Sequence, residues 1–155
     1  MRTKKLVMAG LLICLVAGAY GQQEERSALL PEIEAHLIKK WSPKHGPNKI
    51  DGSWLPSKAQ LDALEASIPH ISDLRSGGAP KGGQIAHPEQ YYRQYLALIR
   101  AGQKLIRVNA FCDVKDLPHW RDQPEIVMDG GDCYWQAWYD PATGKFLDFY
   151  INGRA

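Results

Sequence analysis

Residues 104–152 read as a sheet, and this stretch constrains the fold more than any other. Ile106, Val108, Ala110 and Cys112 alternate with Arg107, Asn109 and Phe111, giving a strand over 104–112 with one mainly apolar face. Residues 125–129 read as a short second strand. Gly130-Gly131 reads as a two-residue hairpin loop, because paired glycines accept the positive φ such loops need. Residues 133–140 return as a third strand, which places Met128 opposite Cys133 and Ile126 opposite Trp135. In the turn Asp140-Pro141-Ala142-Thr143-Gly144-Lys145, proline presets one backbone angle and glycine takes a left-handed position, and 145–152 is the fourth strand. Its register has two solutions. A four-residue loop puts Phe146, Asp148 and Tyr150 on the side of Trp135 and Tyr139, whereas one bulge substitutes Leu147, Phe149 and Ile151.

The preceding chain reads as helical. Leu30, Ile33, Leu37 and Trp41 recur at helical spacing behind Pro31, and Pro43, Gly46 and Pro47 stop that helix. Ser57 and Gln60 form a capping box for a second helix, with Leu61, Leu64 and Ile68 as its apolar stripe and Pro69 at its end. A third helix is expected from Pro88, with Tyr92, Tyr95, Leu96 and Ile99 on one side and Gly102 as its cap. The expected class is α+β: N-terminal helices packed on a four-stranded antiparallel sheet, a helix followed by a β-meander. Residues 20–155 form a single domain, made of a helical part at 22–75, a Gly-rich loop at 76–87, and a helix plus sheet at 88–155.

Arg2, Lys4 and Lys5 precede an apolar run over 6–17 and the small residues Ala17-Gly18-Ala19, the order of a secretory signal peptide at 1–19 cleaved before Tyr20 or Gln22. Ile13 stands where a lipobox at Cys14 needs a small residue. The run is shorter than the roughly 20 residues a membrane span requires, so no span is expected after signal removal. Of 19 Lys and Arg, 16 remain after cleavage against 17 Asp and Glu. That balance carries no electrostatic footprint for nucleic acid. Cys112 and Cys133 are then the remaining cysteines, and an even pair in an exported chain reads as one stapling disulfide in the periplasm or outside the cell.

Chemistry-bearing motifs are sparse. His36, His45, His70, His87 and His119 form no short ligand pair, and the acidic run Asp113, Asp116, Asp122, Glu125, Asp129 and Asp132 lacks EF-hand spacing, so no metal or cofactor is expected. Acidic residues in such a loop bond their own backbone. His119 lies near Asp113 and Asp116, a pair from which hydrolase chemistry can be read, but no nucleophile motif accompanies it and no catalytic residue is assigned. The loop from Ser76 to Gly83 lacks the phosphate-loop pattern and reads as a flexible linker, long enough to act as a flap over the sheet. Aromatics crowd both faces of the last two strands. One face is core. The other is covered by a helix or presents Tyr134, Gln136 and Trp138 as a binding surface for a protein, peptide or glycan.

Val108-Asn109-Ala110-Phe111-Cys112, Asp129-Gly130-Gly131-Asp132-Cys133-Tyr134 and the ending through Thr143-Gly144-Lys145 to Ile151-Asn152-Gly153-Arg154-Ala155 resemble small exported bacterial proteins of uncharacterised function, over about a third of the chain. That resemblance implies no activity. Helix followed by four antiparallel strands is also similar in outline to the cystatin-like superfold, though the inhibitor signature Gln-x-Val-x-Gly is missing. The leading expectation is a non-catalytic binding or inhibitory module of the bacterial envelope. A component that self-associates through its sheet as a homodimer comes next, and a hydrolase using His119 last.

Overall fold

The computed structural model describes residues 25–78 and 81–154, so the signal-peptide and cleavage readings fall outside the described residues. Two α-helices and a mostly antiparallel sheet of six strands make an α+β fold, two strands more than the sequence reading expects. In chain order the elements are β1 (Ser27–Leu29), α1 (Ala35–Trp41), β2 (Ile50–Ser53), α2 (Lys58–Ser67), β3 (Tyr92–Arg100), β4 (Gln103–Phe111), β5 (Tyr134–Asp140) and β6 (Lys145–Ile151). The order across the sheet is β1-β3-β4-β5-β6. β2 shares the outer edge of β3 with β1: β1 pairs in parallel at Arg93–Tyr95, and β2 pairs antiparallel at Leu98–Arg100.

The largest departure from expectation is β3. The segment expected to be a third helix is a central strand, and Pro88 opens only a short 3-10 turn, Pro88–Gln90. A strand buried on both faces shows no alternation, and its unbroken apolar run then matches helical spacing by accident. Gly102 does not cap a helix. With Ala101 it forms the two-residue loop of the β3–β4 hairpin, both residues at positive φ (47° and 81°), and Arg100 pairs with Gln103. With a strand in place of that helix, the antiparallel run β3-β4-β5-β6 follows α2 rather than a helix at 88–101, and β1 and β2 extend the sheet beyond the expected four strands.

The two faces of β3 organise the interior. Tyr95 and Ala97 point into the main core with Val108, Trp135, Tyr139, Phe149, the α2 side chain Leu64 and Ile68 just beyond that helix. Leu96 and Leu98 point the other way, into a smaller cluster with Leu30, Ala35 and Ile50. The helices therefore cover opposite faces. The capping box of α2 forms as the sequence implies, with Ser57 Oγ accepting from Gln60 N and Gln60 Oε1 accepting from Ser57 N. α1 is rotated from its expected phase. Ala35 and Ile38 face the sheet while Ile33 and Trp41 are exposed.

β4, β5, β6 and the turn at Asp140 stand where alternation and turn chemistry put them. Residues 125–129 do not form a strand. Side-chain amides take the place of a ladder there: Gln94 Oε1 accepts from Glu125 N (2.9 Å), Asn109 Nδ2 donates to Glu125 O (2.9 Å), and Asn152 Nδ2 donates to Val127 O (2.6 Å). Gly130 and Gly131 have positive φ as expected but lead into a 3-10 turn, Gly131–Cys133, rather than a hairpin. The pairings Met128–Cys133 and Ile126–Trp135 accordingly do not occur, and Trp135 lies opposite Ala110 and Ile151. The disulfide Cys112–Cys133 is present and closes the crossover between β4 and β5. The start of the Gly-rich loop lies along the sheet edge, where Gly77 N donates to Phe149 O and Ile151 N donates to Ser76 Oγ. A linker that clips the last strand also shields an unpaired edge.

A polar triad, buried at Arg93 and Tyr95 and half-exposed at Glu65, ties α2 to β3. Arg93 Nη2 pairs with Glu65 Oε2 (3.0 Å), Arg93 Nε donates to Tyr95 Oη (3.0 Å), and Tyr95 Oη donates to Glu65 Oε1 (2.7 Å). Burial, above the effects of Arg93 and Glu65, pushes the Tyr95 phenol far above its ordinary value of 10.0. Above about pH 10 the unfolded chain then holds fewer protons than the folded one, so stability falls as pH rises. Urea unfolding at about pH 9 and about pH 11 is expected to show that loss, and Tyr95→Phe is expected to reduce it.

Candidate functional site

The last strand resolves its register by using both sequence solutions. Phe146 pairs with Tyr139 on the core side, a bulge intervenes opposite Ala137, and Phe149 and Ile151 then take the core side beside Trp135. Asp148 sits in the bulge with φ 48°. The bulge aims its carboxylate at Arg100 (2.6 Å), whose guanidinium lies 4.7 Å over the Trp138 ring. Re-aiming a side chain is a common use of a bulge, and here it clamps an indole on the face away from α2.

That face is incompletely covered. α1 has seven residues and packs chiefly over β2 and β3. At the far end of the face, Trp120 from the crossover seals Tyr92 and Phe111 with edge-on ring contacts of 5.5 and 5.9 Å. Between these covers lies a groove of about 490 Å³, within the range of small-molecule sites. Its floor is Ile50, Arg107 and Trp138, and its walls are Ile38 and Trp41 on one side and Ile126 and Met128 on the other. Trp41 is 77% exposed, Ile126 61% and Met128 80%, so three of the six large apolar side chains on the described surface border this one opening. Scattered single exposures need no explanation, but convergence from separate segments does.

A water-sized recess of about 40 Å³ adjoins the groove, shares Ile38, Arg107 and Ile126 with it, and is also lined by Gln94, Asn109, Glu125 and Gln136. Arg107 thus stands at the junction of an apolar groove and a smaller recess of mixed lining, which Leu30, Leu96 and Pro124 also border. It donates from Nη2 to Gln136 Oε1 (2.8 Å), and no carboxylate among the described residues lies within 4.0 Å of it. Burial lowers its pKa from the ordinary 12.5, yet an arginine remains charged at neutral pH. Arg107 is half-buried, and a partly desolvated cation without an anion gains from a carboxylate placed beside it.

Gln136 and Trp138, nominated from sequence, meet in this region. Tyr134 shares their face but stands apart, its ring packed so closely on Gly130 that a Cβ there would lie 2.5 Å from it. Of the crossover acids, Asp113 behaves as a turn residue, accepting from Lys115 N, while Asp132 pairs with Arg154 (3.1 Å), and among the described residues no group of three or more His, Cys, Asp or Glu side chains is placed to hold a metal ion. His119 is exposed, and no carboxylate among the described residues lies within ion-pair distance of its ring. The hydroxyl lining the groove, Ser42, donates its proton to Lys39 O (2.9 Å). Arg107, Ile126 and Met128 escaped the sequence reading, although a charge inside the alternating run Ile106-Arg107-Val108 was their available signal. The chain matches no protein-family model, no curated protein and no solved structure.

Proposed function

We propose that this chain is an exported, non-catalytic binding module of the bacterial envelope that holds a small, largely apolar ligand on the half-covered face of its sheet. The convergence of exposed Trp41, Ile126 and Met128 around half-buried Trp138 carries this reading. Export rests on the basic start followed by an apolar run, and on the disulfide, which persists in oxidising compartments. Trp138 forms the aromatic part of the groove floor, held in place by Arg100 and Asp148. Replacing Trp138 with Ala is expected to weaken uptake of the fluorescent probe anilinonaphthalene sulfonate about tenfold, an aromatic contact being worth roughly 1–1.5 kcal/mol. Circular dichroism should show the variant still folded, since Trp138 lies outside the main core. Unchanged probe affinity in that variant would remove the groove from consideration.

A further inference from the structure

The groove is apolar along its length, but a lone guanidinium stands in its floor. Three cations from flanking segments are engaged elsewhere: Arg100 with Asp148, Lys49 with Asp51, and Lys39 with the carbonyl of Asp51. Arg107 has only the neutral Gln136 amide as its hydrogen-bond partner among the described residues. Resting on the ligand-binding reading above, we propose that the occupant is an aliphatic monocarboxylate. Its head is held by Arg107 where the groove meets the small recess, and its tail lies across Trp138 between Ile38 and Ile126.

The choice of head group follows from charge and shape. A guanidinium offers a planar fork that matches a carboxylate bidentately. Glu125 lines the same recess and repels any anion there, so with one cation to offset it a singly charged head is tolerated better than a doubly charged phosphate. The recess is water-sized and admits a compact head rather than a sugar. The tail's environment is set by Ile38 and Trp41 of α1 opposite Ile126 and Met128, and methionine adapts to chains of varied length.

The test compares two probes with one tail and opposite heads, laurate and dodecyltrimethylammonium, each below its micelle concentration, titrated calorimetrically into the disulfide-bonded chain. Laurate is expected to bind at least about tenfold tighter, the smallest gain a charge-assisted contact normally gives. Arg107→Gln is expected to abolish that preference while leaving uptake of the cationic probe unchanged or improved, and Arg107→Lys to keep most of it. Equal affinity of wild type for the two probes overturns the carboxylate assignment and leaves the groove reading standing. Uptake of neither probe overturns both, as does a concentration-dependent dimer that excludes them. The wild-type comparison decides the matter even if Arg107→Gln fails to fold.

Discussion

Replacing Cys112 and Cys133 together with serine is expected to lower the unfolding free energy by about 3 kcal/mol and the melting temperature by about 10 °C. The bond spans a sequence separation of 21, and that crossover contains few regular elements of its own. Without the bond, the unfolded chain gains the freedom of an unclosed loop, while the folded chain keeps its sheet. The consequence reaches the site, because the same crossover supplies Ile126 and Met128 to the groove wall. Reduction is therefore expected to weaken probe binding even at temperatures where the sheet remains folded. Urea titration with and without reductant measures the first effect. A loss below about 1 kcal/mol would mean that the crossover is held by other contacts.

The second large effect concerns Gln94, a side chain with 1% exposure whose amide works in four directions. Its Oε1 accepts from Asn109 Nδ2 (3.0 Å) and Glu125 N (2.9 Å), and its Nε2 donates to the carbonyls of Trp120 and Gln123. These bonds carry the crossover across the face of the sheet. Gln94→Leu keeps the volume and strands the buried groups that the amide now satisfies, an expected cost of about 3–4 kcal/mol. Gln90→Leu, an exposed position four residues earlier, is expected to stay within about 0.5 kcal/mol. Both lesions loosen one segment, so combining Gln94→Leu with loss of the disulfide should cost less than the sum of the two. Denaturant unfolding of the four variants checks this, and strict additivity would show that the bond and the amide act on separate units.

Legibility from sequence divided along physical lines. β4, β5 and β6, the Asp140 turn, the capping box at Ser57 and the disulfide are local or pairwise signals, and each stands where it was read. β3 was hidden because the strand is covered on both faces, by α2 on one side and by α1 and the crossover on the other. Periodicity reports one-sided burial and is silent about two-sided burial. Strands β1 and β2 are three and four residues long and owe their pairing to β3, so an error at β3 hides both. The segment 125–129 misled for a related reason. Its apolar residues suggested a strand facing a core, whereas Ile126 and Met128 face an opening and its backbone is satisfied by Gln94, Asn109 and Asn152.

The candidate site was half legible. Gln136 and Trp138 stood out as a polar–aromatic mix on one face of a strand, and that face is the half-covered one. Tyr134 shares their parity but closes over Gly130 instead of joining the groove. Alternation places residues on a face and does not say how far a short helix extends over it. α1 ends at Trp41 because Pro43, Gly46 and Pro47 follow, and the uncovered part of the face is a direct result of that length.

The most direct measurement is a two-dimensional NMR titration of the isotope-labelled, disulfide-bonded chain with laurate. The largest shifts are expected at the Trp138 indole N–H, the Arg107 side-chain N–H and the methyls of Ile38, Ile126 and Met128, with Trp54, Trp135 and Leu64 on the α2 side unmoved. Shifts centred on the α2 face, or laurate binding that leaves Trp138 and Arg107 unmoved, would contradict the account.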